Sequence, residues 1–190
     1  MDEEKRQRFI KTVVMLVILA VVILGVYLII VVRGPRDNTT REDQALSAVD
    51  QITTLDLEKS YPPTPGEVVD LYARIMKVMY RQDYTDKQFN LMVAKLEGIF
   101  DMELLQNQVN WPLSLKNEVR YKKEGDYSIV NYSVDTADKV VTSVVDGKEI
   151  ANLSCIYAMR HGTSTEPQQF VYVLRKDEDG RWKILGWEEK

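Results

Sequence analysis

Few residues in this chain combine a reactive type with a useful spacing. It holds one histidine and one cysteine, which excludes the common zinc spacings and any internal disulfide framework. His161 precedes Gly162 at the end of a strand pattern, a loop or rim position. Cys155 falls mid-strand on an apolar face, where it reads as a small buried hydrophobe. The carboxylates of Asp177-Glu178-Asp179-Gly180 hint at calcium, but Arg181, Trp182 and Lys183 follow where a calcium loop needs further oxygen ligands and a closing glutamate. The segment reads as a hairpin turn. No catalytic group, metal site or cofactor is predicted. What does recur is an inward aromatic set on the late strands: Tyr157, Phe170, Tyr172 and Trp182.

The elements that must position these residues follow from caps and periodicity. Thr64 with Pro65 and Glu67 predicts a helix start, and Val68, Leu71, Tyr72, Ile75, Met76 and Met79 recur at helical spacing to about Gln82. Thr85 with Gln88 caps a second helix, which buries Phe89, Met92, Val93 and Leu96 and runs to about Gly98. Residues 99–107 hold a short third piece. Trp111-Pro112 opens another helix, with Leu115 and Val119 on one face and Gly125 as its stop. Beyond Gly125 the period changes to two. Strands are predicted over 127–134, 139–145, 148–160, 168–176 and 181–187, with Asp146-Gly147 as a two-residue hairpin turn and 161–167 as a loop. Ala151, Leu153, Cys155, Tyr157 and Met159 form the apolar face of the longest strand. Helices first and an antiparallel meander after them predict an α+β fold, with helices on one face of the sheet.

The N-terminal part has a different character. Thr12 to Val32 carries no charge and no proline across 21 residues. A helix of that length spans about 31 Å, matching a hydrocarbon core of about 30 Å. Without a small-x-small cleavage site it reads as an uncleaved signal anchor. The expected organisation is a cytoplasmic tail over 1–11, one transmembrane helix over 12–32, a juxtamembrane connector over 33–61 and a folded domain over 62–190. Four basic residues precede the span and three follow it, which favours a cytoplasmic N-terminus and a domain outside the cell membrane. Within the connector, Thr39 with Glu42 and the row Ala45, Leu46, Val49 and Ile52 allow a short helix, with a solvated linker as the alternative. From Arg33 onward there are 21 basic and 26 acidic residues, so nucleic acid is not an expected partner.

Three helices followed by a curved antiparallel sheet resemble the nuclear-transport-factor-2-like cone fold. The closing hairpin, Phe170 to Lys176 and Arg181 to Ile184 around the Asp177–Gly180 turn, strengthens the likeness. The stretches 61–72, 100–105 and 174–187 also resemble a family of uncharacterised membrane-anchored proteins from gut clostridia. The resemblance implies a bacterial envelope protein and brings no activity. Cone-fold enzymes use an Asp, Tyr or His in a deep apolar pocket. On that likeness Tyr72, Met76, Tyr157, Phe170, Tyr172 and Trp182 are the expected pocket lining, with filled core as the alternative. The leading expectation is a membrane-tethered, non-catalytic interaction or scaffold module with a protein partner or self-association. A small-molecule binder using the cone pocket is the second, and a lyase or isomerase the third.

Overall fold

In the computed structural model, whose described residues are Leu46–Lys190, side-chain caps decide where helices begin. Helix α1 (Ala48–Thr53) starts where the Ser47 hydroxyl accepts from the Asp50 N–H at 3.1 Å. Helix α2 (Pro65–Arg81) starts where Thr64 accepts from the Glu67 N–H at 3.2 Å. The reciprocal Thr85–Gln88 capping box opens α3 (Asp86–Ile99), and Asp101 caps α4 (Met102–Asn107). Helix α5 (Leu113–Glu124) follows Pro112 without a side-chain cap and stops at Gly125. Each cap satisfies an N–H that the first turn cannot pair internally.

The five strands are β1 (Tyr127–Val134), β2 (Val141–Val145), β3 (Lys148–His161), β4 (Ser164–Lys176) and β5 (Trp182–Glu189). They form one antiparallel sheet in the order β1-β3-β4-β5, with β2 also pairing β3. Strands β1 and β2 share one edge of β3, because Val134 pairs with Cys155 and Val141 with Asn152. The segment between them bows outward through a short 3-10 turn, Ala137–Lys139. Asp135 ties its root to β3. Its N–H donates to the Ser154 carbonyl at 2.9 Å, and its carboxylate accepts from the Ser154 N–H at 2.7 Å. Alternation along β3 buries Ala151, Leu153, Cys155, Tyr157 and Met159 against the helices.

Two β-bulges change which side chains face inward. In β5, Ile184 pairs with Leu174 but Gly186 pairs with Val173, so Leu185 is an extra residue. Strict alternation from Trp182 would send Trp187 outward; the bulge turns it onto the same face as Tyr172, its partner. In β1, Ile129 pairs with Met159 and Asn131 with Ala158, leaving Val130 as the extra residue. Ile129 and Tyr132 thereby face the same side despite their odd spacing.

Several expectations need correction. The fold is α+β, but among the described residues no helix is long and apolar enough to cross a membrane. The run 12–32, to which the transmembrane helix was assigned, lies outside the described residues, as do Thr39 and Glu42. A single-pass, signal-anchored architecture therefore gains no support from the described structure. Five described α-helices precede the sheet, two more than the three of the cone-fold likeness, the additions being the connector helix Ala48–Thr53 and the short Met102–Asn107. The compact unit begins at Leu46. Val49 and Ile52 are buried in the core, so the end of the stretch read as connector packs with the domain. The loop expected over 161–167 is a tight turn, and β4 starts at Ser164. Pro167 fits there for a physical reason. The Gln169 carbonyl accepts from Lys190 N–H on the β5 side, so Pro167, two residues earlier, also points its backbone to that side, where β5 has ended. Its missing N–H breaks no ladder bond.

Candidate functional site

Helical and strand periodicity converge on one concavity. Tyr72, Met76 and Tyr80 lie four residues apart on α2, and Ser114, Glu118 and Lys122 do so on α5. Opposite them, Tyr157 and Met159 alternate on β3, Phe170 and Tyr172 on β4, and Trp187 and Glu189 on β5. Together with Phe100 and Trp111 these residues enclose a cavity of about 450 Å³, within the usual size range of small-molecule sites.

The inner wall is a continuous aromatic surface. Tyr72 lies 5.5 Å from Tyr172 and 5.3 Å from Trp187 between ring centroids. Phe100 lies 5.6 Å from Trp111 and 6.0 Å from Trp187, and Tyr157 meets Phe170 edge-on at 5.6 Å. The phenol oxygens of Tyr157 and Tyr172 are 2.7 Å apart and share one buried hydrogen bond. Burial pushes the phenols of Tyr72, Tyr157 and Tyr172 well above the ordinary tyrosine range, because the charged form would lose its water. Burial, then the neighbouring Glu118 carboxylate, does the same to Tyr80, whose hydroxyl donates to Glu118 Oε1 at 2.8 Å. The more polar groups lie nearer solvent: Glu118 and Glu189 are exposed and Lys122 is half-buried.

Five of the six predicted lining residues, Tyr72, Met76, Tyr157, Phe170 and Tyr172, come together here. Trp182 does not. It is buried and lines a separate depression with Thr64, Gly66, Asp70 and Asp135 under the first turns of α2. Trp187 occupies the place expected of it, for the reason given by the bulge at Leu185. Trp111, Glu118 and Lys122 were not among the predicted lining, because the sequence assigns α5 only the inward face of Leu115 and Val119. Its signal was the spacing from Trp111 through Leu115 to Glu118 and Lys122. His161 stacks on Tyr127 at 4.1 Å, outside the cavity lining. Cys155 is fully buried, and burial pushes its thiol up to about 11.

At the far end of the sheet, one residue out of phase with the inward Leu174 and Ile184 and so on the opposite face, lies a different device. Arg175 donates from Nε to Asp101 Oδ2 at 2.9 Å and from Nη2 to Asp101 Oδ1, and also pairs with Glu103 at 3.1 Å. Burial works against the charged form of Asp101. The bonds from Arg175 and from the Glu103 N–H outweigh it, and its pKa lies below the ordinary carboxylate value. Lys183 donates to the Gly98 carbonyl at 2.6 Å, and burial lowers its pKa.

A family model described as a domain of unknown function, DUF6715, matches residues 1–187. No curated protein matches the chain.

Proposed function

The chain belongs to the DUF6715 family of domains of unknown function, and we propose that its folded domain is a binding module for a small amphipathic molecule. The observation that carries this reading is the aromatic-walled cavity of about 450 Å³ between α2, α5 and the sheet. Aromatic rings offer a ligand a large apolar contact, and the polar rim would fix its orientation. The resemblance to nuclear-transport-factor-2-like domains supports the same concavity as the ligand site. The reading is binding without turnover, since the carboxylates Glu118 and Glu189 sit at the rim rather than against the aromatic wall.

The tryptophans provide the test. Trp111 and Trp187 line the cavity and Trp182 does not. A screen of small ring-bearing molecules, followed through the indole N–H resonances, is expected to move those of Trp111 and Trp187 and leave Trp182 still. Binders that leave both cavity tryptophans unmoved would defeat the reading.

The expectation of an interaction module draws on a separate feature. Strand β2 has a paired neighbour on one side only, among the described residues. Val141, Val144 and Val145 are exposed on it, an unusual state for an edge strand without a charge to protect it. A second copy is the proposed occupant. Antiparallel pairing centred on Ser143 would set Val141 against Val145 and Thr142 against Val144, and would bring Lys139 of each copy beside Asp146 of the other. Sedimentation equilibrium should show a dimer that Val144→Lys dissociates. A monomer at all concentrations would end this reading.

A further inference from the structure

The cavity rings differ from the other aromatic rings in what lies over them. Outside the cavity, the fold places its own cations on ring faces. Lys77 lies 5.8 Å from the Tyr132 ring centre, Lys176 lies 5.4 Å from that of Trp182, and Arg181 and Lys183 lie 5.1 and 4.7 Å from that of Tyr61. Among the described residues no protein cation lies over Tyr72, Phe100, Trp111, Phe170 or Trp187. Of these, Trp111, Phe170 and Trp187 keep part of their surface exposed to the cavity, where a ligand can meet it.

The rim favours the same sign of charge. Glu118 and Glu189 contribute two carboxylates. Lys122 is the one cation in the lining, and its ammonium lies 4.8 Å from the Tyr127 ring centre, outside the lining. One oxygen of Glu118 accepts from Tyr80 at 2.8 Å, which leaves the other able to face a ligand. The buried Tyr157 and Tyr172 hydroxyls satisfy each other at 2.7 Å, so they offer an anion little. An anion would meet two carboxylates and a Lys122 already engaged. A cation would meet ring faces and carboxylates together, the arrangement that recognises alkylated ammonium groups.

The geometry points to an organic cation with an apolar body, a protonated or quaternary amine, as the class of molecule this cavity takes. This inference rests on the cavity being a ligand site. The experiment titrates the full chain with three probes: benzyltrimethylammonium, its uncharged carbon isostere neopentylbenzene, and the anion phenylpropionate. The readouts are Trp111 and Trp187 indole shifts. The cation is expected to bind about thirtyfold more tightly than the isostere, the size of one desolvated cation–ring contact. Glu118→Gln keeps an acceptor for Tyr80. It should weaken the cation several-fold and leave the isostere unchanged. Equal affinity for cation and isostere, or tighter binding of the anion, overturns the cation class while the binding reading survives. If none of the three binds, the binding reading falls with it.

Discussion

The two ends of the inner sheet face solve opposite packing problems with the same strands. At one end, Ala151, Leu174 and Ile184 form a row across β3, β4 and β5, and all three are fully buried. In the next inward row, Leu153, Tyr172 and Trp187, the two aromatic residues begin the cavity. Branched aliphatic side chains fill space because their shapes interdigitate. Flat rings meeting at edges and tilts leave space between them, and their buried hydroxyls need partners. The difference teaches that the cavity is built by residue type and, on the β5 side, by one inserted residue.

The ends also differ in electrostatics. The filled end carries the Asp101–Arg175 pair on its reverse face, and the open end carries phenols held neutral by burial. Their pH liabilities therefore run in opposite directions. A carboxylate with a depressed folded pKa stabilises above its unfolded pKa, and that stability is lost as pH falls through the folded value. Phenols with raised folded pKa values stabilise below their unfolded pKa of about 10 and lose that contribution as pH rises through the folded values.

The sharpest way to break the comparison is Leu174→Ala. At the filled end it should cost about 2–5 kcal/mol, since the fully buried site cannot collapse around the loss. Urea denaturation measures it, and ligand affinity at the open end should hold while the protein is folded. Next in size is Tyr157→Phe, which leaves the buried Tyr172 hydroxyl without a partner and should cost about 1–3 kcal/mol. The double change Tyr157→Phe with Tyr172→Phe should recover most of that loss. A double variant no better than the single would mean that the hydroxyl pair is not what stabilises the wall. The phenolate absorbance of these rings should appear only with unfolding at high pH.

Asp101→Asn should cost about 1–2 kcal/mol at neutral pH, less than a fully buried pair because Arg175 is partly exposed. The gap between variant and parent should narrow as pH falls through the carboxylate range. An unchanged gap down to acid unfolding would show that the pair contributes nothing through its charge. The smallest stability effect is expected from Trp187→Leu, under about 1 kcal/mol, because this ring is already 37% exposed at the cavity. Its effect belongs to binding. Loss of stability without loss of affinity would make Trp187 a packing residue and erase the contrast between the two ends.

Much of this fold was readable because the signals are local. Thr64, Thr85 and Gly125 marked helix ends where the caps indeed form, and alternation along 151–159 named the buried face of β3. The late aromatic residues were recognised as inward for the same reason. Where the reading failed, the deciding contact was distant. Pro167 looked like a loop residue until β5 was seen to stop short of it. Val49 and Ile52 allowed either a short helix or a solvated linker, and the helices they pack among decided for the helix. Trp187 turns inward because Leu185 adds one residue that pairs with nothing, which no periodicity within β5 announces, whereas Trp182 is inward but sits opposite Lys176 at the far end of the strand.

By itself, then, the sequence determined the element types, most of their ends and which strand faces turn inward, because capping and alternation act over a few residues. Only the tertiary structure decided that a cavity exists, that α5 supplies its rim and that Trp187 rather than Trp182 enters it. Those outcomes depend on strand register and on helix placement across the sheet, which are set by packing between residues far apart in the chain.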